Sequence, residues 1–350
     1  LKPVSLNQLL FHPKSNALSL YLSGRTQNLD QILSELKEEL KQQDKNDLLN
    51  LLEINESEIK KIYQRHANKS HGFFLSQDLQ GYFILENQTT MCQVIGDTFH
   101  TRPILEEVYA NPEFMVVNVS LYDIKVYRGD FHHLELINHF EFDQLPKTIL
   151  DTKKVGFYTP RYLGLMPFKT LQALRIIANK IQETVLYNSL PIIVTGLSEV
   201  KNIFLKFFNQ ASGVISHLHE DFYEKTCIQV LESCKFHRDL ILDFYSGQLK
   251  DRLKKMANSK IVLNDLSEII NATRSEKVLH LVLPTQSKLW GKIDLAHGSY
   301  ELHQKFEKNR SVDILNELAQ VVLKQGGKIQ FLRHQFFPEN HHALAIIKGT

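Results

Sequence analysis

Cysteine is scarce in this chain: three in 350 residues, Cys92, Cys227 and Cys234, with no CxxC pair. An odd, sparse count argues against a disulfide framework and fits a reducing cytoplasm. Charge of one sign is equally short. Lys and Arg number 41 against 39 Asp and Glu, a net charge of +2. That excludes a histone-like profile, so any contact with nucleic acid has to run through local patches. No run approaches the ~20 apolar residues that a membrane helix needs, and no membrane partner is expected. Leu1 to Leu10 hold Lys2 but no apolar core, so no signal peptide is expected there. Walker patterns, dinucleotide fingerprints and HExxH pairs are missing, and no cofactor is expected.

What is present suits a packed protein. Hydrophobic residues make up 43% and charged residues 23%, enough for ordinary cores. The length points to two or three domains. Periodicity predicts an α/β protein of three modules. In the first, 1–110, the strand Ala17 to Leu22 precedes two amphipathic helices and three short strands. In the second, 111–219, the strand Phe114 to Val119 and a hairpin around Gly129-Asp130 precede the helix Leu171 to Val185 and the strand Pro191 to Thr195. In the third, 220–350, a mostly helical stretch to Ala257 carries a candidate kink at Ser246-Gly247. An α/β/α sandwich follows it, built on Val278 to Leu283, Lys328 to Leu332 and Ala343 to Ile347. Ser311 is the expected cap of its last helix, which Gly326-Gly327 stops.

Two basic stretches are candidate nucleic-acid contacts. In the irregular segment 147–167 and just after it, Lys153, Lys154, Arg161 and Lys169 interleave with Phe157, Tyr158 and Tyr162. Cations among aromatics suit bent or single-stranded RNA, through phosphate pairing and base stacking. The plainer reading is a solvated loop with tucked aromatics. Lys250, Arg252, Lys254 and Lys255, opposed only by Asp251, form either a phosphate-facing patch or a solvated helix face. His217-Leu218-His219-Glu220-Asp221 has metal-ligand residue types but no converging distant ligand, so a helix-start acidic cap is the expectation and no metal site is assigned. His132-His133 is expected to alternate across a strand, which spoils it as a chelating pair. His100 and Arg102 could orient a ligand or pack domains together. No catalytic residue is assigned.

Several blocks, in order, resemble the bacterial archaeo-eukaryotic release factor family, and most of all its third subgroup. They are His71-Gly72-Phe73-Phe74-Leu75, Ile95 to Leu105 (IGDTFHTRPIL), Phe114 to Gly129, Trp290 to Asp294 with Glu301 to His303, and Asp313 to Gly327. The family is related to archaeal and eukaryotic translation termination factors and pelota. The resemblance implies a ribonuclease-H-like middle domain and a C-terminal domain like the ribosomal proteins that bind kinked RNA. It also implies the ribosome as partner, through ribosomal RNA and tRNA, together with a translational GTPase. The Gly-Gly-Gln tip of classical superfamily members has no counterpart: Gly326-Gly327 precedes Lys328, and 147–167 holds Gly156 and Gly164 but no Gln.

Three functions are therefore in view. The first is a ribosome-bound factor for rescue or protection of ribosomes. The second is a hydrolase of peptidyl-tRNA or another RNA ester that uses the 147–167 loop. The third is a protein-interaction module without RNA.

Overall fold

The computed structural model describes every residue except 14, 25–27, 121–122, 142–167, 189, 197, 209–212, 219, 257–260, 286, 304–310, 338–340 and 349–350; at 168–170, 184–188 and 199 it describes backbone only. The chain divides into two compact units. One combines Leu1–Ala110 with Leu249–Thr350, and the other is Asn111–Gln248. The fold is mixed α/β with several sheets. Among the described residues no helix is long and apolar enough to cross a membrane.

In the first unit, strands β1 (Lys2–Pro3), β2 (Ala17–Leu22), β3 (Ser70–Leu75), β4 (Gln80–Leu85) and β5 (Cys92–Gly96) pair in the order β1-β4-β3-β2-β5. Every residue of β2 is buried, because its alternating side chains serve two layers. Leu18, Leu20 and Leu22 pack with the apolar stripes of α2 (Leu29–Gln42) and α3 (Asn46–Arg65). Ala17 and Tyr21 face a second cluster with Leu9 of α1 (Leu6–Leu10), Phe99, and Ile104 of α4 (Arg102–Tyr109).

The second unit is built on β6 (Phe114–Val119), β7 (Asp123–Gly129), β8 (Leu134–Glu141), β9 (Ile192–Gly196) and β10 (Val214–His217). Their order is β10-β9-β6-β7-β8. β6 to β8 form an antiparallel meander, and β9 and β10 add on parallel to β6. Met115, Val117 and Val119 of β6 pack with α5 (Phe168–Asn188) and α6 (Ser198–Leu205). Phe114 and Val116, on the other face, meet Val230 and Leu231 of α7 (Cys227–Lys235) and Ile241 of α8 (Arg238–Met256). That packing is why 220–248 belongs to this unit, whereas a module boundary was expected after 219; the division falls within α8. At the end of β9, Gly196 has φ +120°, and a Cβ there would lie 2.0 Å from the Val119 carbonyl oxygen. Gly196→Ala is expected to destabilise this unit by about 1–3 kcal/mol, read as a shift of its urea midpoint.

The remainder of the first unit holds a four-stranded sheet of β11 (Val262–Leu263), β12 (Val278–Pro284), β16 (Lys328–Leu332) and β17 (Leu344–Ile347), ordered β11-β17-β12-β16. A three-stranded sheet of β13 (Trp290–Asp294), β14 (Ser299–Leu302) and β15 (Val312–Asp313) accompanies it. Leu281, Leu283, Ile329 and Phe331 pack with α9 (Leu266–Arg274) and α10 (Ile314–Lys324). Val282, Leu332 and Leu344 pack with Leu249 and Leu253 of α8.

Local expectations needed four corrections. The helical stretch breaks at Phe236-His237, and α8 runs unbroken through Ser246-Gly247; a Cβ at Gly247 would meet nothing within 4 Å. The cap of α10 is Asp313, whose side chain accepts from Leu315 N–H at 3.2 Å, and not Ser311. Where the spacing predicts a short helix over Ile261 to Ala272, the helix starts only at Leu266, behind an Asp265 cap. His132 and His133 stand in the turn before β8, where both backbone N–H groups donate to Asp130 Oδ1 at 2.7 and 2.9 Å.

Candidate nucleic-acid interface

Of the two basic stretches, the one that falls among the described residues lies on the C-terminal half of α8. Leu249 and Leu253, one turn apart, point inward. Helical periodicity then puts Lys250 and Lys254 on one flank, Arg252 on the other, and Asp251 and Lys255 outward. Arg252, Lys254 and Lys255 are exposed and Lys250 is half-buried. Among the described residues none of the four joins an ion pair. Several cations elsewhere are paired: Lys37 and Lys60 with Glu56, Lys69 with Glu86, Arg128 with Glu113, Lys235 with Glu232. Cations in a last turn also complement the helix dipole, worth about 0.3–1 kcal/mol each. That accounts for Lys254 and Lys255, not for Arg252 and Lys250 one turn earlier.

Of the other basic stretch, Lys153, Lys154, Phe157, Tyr158, Arg161 and Tyr162 lie outside the described residues, and Lys169 is placed by its backbone alone, in the first turn of α5. In the 217–221 cluster His219 lies outside the described residues, Asp221 Oδ1 accepts from Asn118 Nδ2 at 3.2 Å and Tyr223 N–H at 3.1 Å, and Glu220 pairs with Lys225. Among the described residues no group of three or more His, Cys, Asp or Glu is placed to hold a metal ion.

The Ile95 to Leu105 block is a joint within the first unit. Thr98 Oγ1 donates to Glu317 Oε1 at 3.0 Å, and Gln320 Nε2 to the Phe99 carbonyl at 2.7 Å. Thr101 N–H donates to Asn316 Oδ1 at 2.9 Å. The last two bonds explain the polar residues Asn316 and Gln320, both 2% exposed on an otherwise apolar helix face. Arg102, also 2% exposed, pairs with Glu106 at 2.9 Å, donates to the Pro284 carbonyl and lies 5.0 Å from the Phe331 ring centroid. His100 donates its N–H to Ser19 Oγ at 2.9 Å and stacks on Trp290 at 6.4 Å. Burial first, then the Lys288 and Arg102 charges, push the His100 imidazole down to about 3. Asp313 is raised by burial, against the pull of Arg102. Of the two readings of His100 and Arg102, the geometry fits packing, because both are sealed from solvent.

Nothing in the sequence spacing marks His280 or Lys328. Strand pairing sets His280 opposite Lys328 across β12 and β16, and the charges of Lys328 and Arg252 both act on His280.

No family model matches the chain, and no curated protein sequence matches it. Among solved structures it is similar to a ribosome-bound archaeal Pelota with ABCE1, at 13% identity over 81% of this chain and 78% of that one, TM-score 0.41. It is similar to Pelota of Archaeoglobus fulgidus at 12% identity over 99% and 93%, TM-score 0.41. It is similar to the archaeal translation termination factor aRF1 at 11% identity over 98% and 96%, TM-score 0.27. Likeness at this level fixes neither an activity nor a partner for this chain.

Proposed function

We propose that this chain is a ribosome-associated, release-factor-like protein of the third bacterial subgroup, cytoplasmic, acting in ribosome rescue or protection by occupancy. The observation that carries its RNA contact is the unpaired set Lys250, Arg252, Lys254 and Lys255 on α8. A row of cations with no acidic partners among the described residues is what a polyanion neutralises. The ordered motif blocks support the family reading. The meander followed by two parallel strands, in the order β10-β9-β6-β7-β8, supports a ribonuclease-H-like middle module. Helices on both faces of the β11-β17-β12-β16 sheet support a kinked-RNA-binder-like sandwich at the end.

Partners in this reading are ribosomal RNA, tRNA and a translational GTPase. Occupancy is favoured over hydrolysis because the chain has no Gly-Gly-Gln tripeptide, and ester hydrolysis needs a water held in register with an oriented polar group.

Co-sedimentation with purified ribosomes over a salt series tests the proposal. Four phosphate contacts give a log–log slope of roughly −3, or about a hundredfold loss between ~50 and ~200 mM salt. Replacing the four cations by Gln is expected to flatten most of that slope. Binding indifferent to salt, or no binding at all, overturns the reading.

A further inference from the structure

The C-terminal half of α8 covers only part of its sheet face. Leu249 and Leu253 lie over Val282 and Leu332. In β12 the residue on the same face as Val282, two positions back, is His280. The parallel register sets His280 opposite Lys328 and Pro284 opposite Leu332, so Lys328 shares that face with Leu332. Arg252 is the neighbour of inward-pointing Leu253 and leaves α8 on one flank. The register thus joins His280 and Lys328 on this face, beside the point where Leu253 packs, and the Arg252 next to Leu253 is near enough for its charge to act on the imidazole. His280 is half-buried, and Arg252 and Lys328 are exposed. Burial lowers the His280 imidazole first, and the charges of Lys328 and Arg252 lower it further. Both charges acting on it are therefore positive. None of the three groups forms an ion pair or a side-chain hydrogen bond among the described residues.

We infer that Arg252, His280 and Lys328 together form one contact for a phosphodiester of an RNA strand. The inference rests on the ribosome-binding reading and extends it to a face that the basic run of α8 does not by itself include. A phosphate oxygen accepts from a guanidinium, an ammonium and an imidazole N–H at once. Like charges held close repel until an anion separates them. An acidic peptide is the weaker candidate, because docking a peptide draws on apolar anchors in pockets, whereas Ile346, the apolar neighbour opposite His280, is already packed into the cluster of Leu249 and Leu253.

Proton linkage follows. The bound phosphate opposes the effect of Lys328 and Arg252 on His280, so the imidazole is more basic in the complex than in the free protein. Binding then takes up a proton and tightens as pH falls towards 6 from above.

The test uses the full chain, purified ribosomes and a short mixed-sequence RNA, with binding read at pH 6 and pH 8. Lys328→Gln and Arg252→Gln are each expected to weaken binding several-fold and to reduce the salt slope by roughly 1. His280→Gln is expected to abolish the tightening at pH 6 with little change at pH 8. If the unaltered chain binds ribosomes and RNA but all three variants match it in affinity, salt slope and pH response, the contact is refuted and the ribosome reading stands. If the unaltered chain binds neither, both fall. Polyglutamate competing as well as RNA at equal charge would overturn the assignment to RNA. Lys328 is exposed on a strand, so its variant reports even if His280→Gln fails to fold.

Discussion

Arg102→Ala is expected to cost the first unit about 3 kcal/mol or more while leaving the second unit unchanged. The guanidinium is sealed, pairs with Glu106, donates to the Pro284 carbonyl and covers the Phe331 ring. Truncation leaves a carbonyl without its donor, a half-buried carboxylate without its cation, and a cavity against Phe331. Removing one partner from a buried pair is commonly worth about 3–5 kcal/mol. The partial exposure of Glu106 places the expectation at the lower end. Arg102→Lys keeps the charge but not the planar fork, so it cannot serve Glu106 and Pro284 together and is expected to fall between the two. Hydrogen exchange resolved by segment checks this. Protection should drop in α4, α10 and β12 and hold in β6 and β9. Equal loss in β6 and β9, or a change under 1 kcal/mol, would refute the role given to Arg102.

Acidification is expected to be the other strong lever on the first unit. Two imidazoles are sealed in it. His71 is stacked on Phe73 at 5.9 Å, with burial as the larger cause and the His66 charge as the smaller in bringing it down to about 4. His100 is held at about 3. Both are depressed relative to the unfolded chain, where a histidine titrates near 6.5. The unfolded state therefore binds more protons over the interval between. Stability is complete above about 6.5 and declines as pH falls towards 4, then 3, with a total on the order of a few kcal/mol. Asp313 runs the other way, since burial raises its carboxyl and protonation relieves it; it offsets part of the loss. Urea unfolding at pH 7 and pH 4.5 should show the midpoint of the first unit moving much more than that of the second. His71→Phe, which keeps a flat ring beside Phe73, should reduce the difference. An unchanged pH response in that variant would remove His71 from the account.

Much of the fold was legible in the chain because apolar periodicity is local. β2, α2, α3 and β6 follow from the spacing of Leu, Ile and Val alone. What was not legible depends on contacts distant in sequence. The first unit closes on itself from both ends of the chain, so no composition shift marks its boundary. The expected cut after 219 ignored Phe222, Val230 and Cys234, which complete a core begun by Phe114. Ser311 looked like a cap because of its residue type, yet Asp313 sits where the backbone turns. The block around His100 stood out as a pattern, but its bonds to Asn316 and Gln320 span more than 200 residues. The candidate interface was half visible. Lys250 to Lys255 are contiguous, whereas His280 and Lys328 reach Arg252 only through a β pairing.

The split composition of the first unit, Leu1–Ala110 with Leu249–Thr350, bears on how the protein is made. The layer of β2, α2 and α3 can assemble as soon as it emerges, since its cluster is drawn from residues before 100. Phe99, Thr101 and Arg102 cannot settle then, because their partners at 284, 316 and 320 are still to be translated. At ~5–20 residues per second that interval is on the order of tens of seconds. The Asn111–Gln248 segment is meanwhile complete and free to fold on its own. Nascent chains arrested before Ile314 should thus hold a finished inserted domain beside a half-built host whose Leu105 is exposed to chaperones.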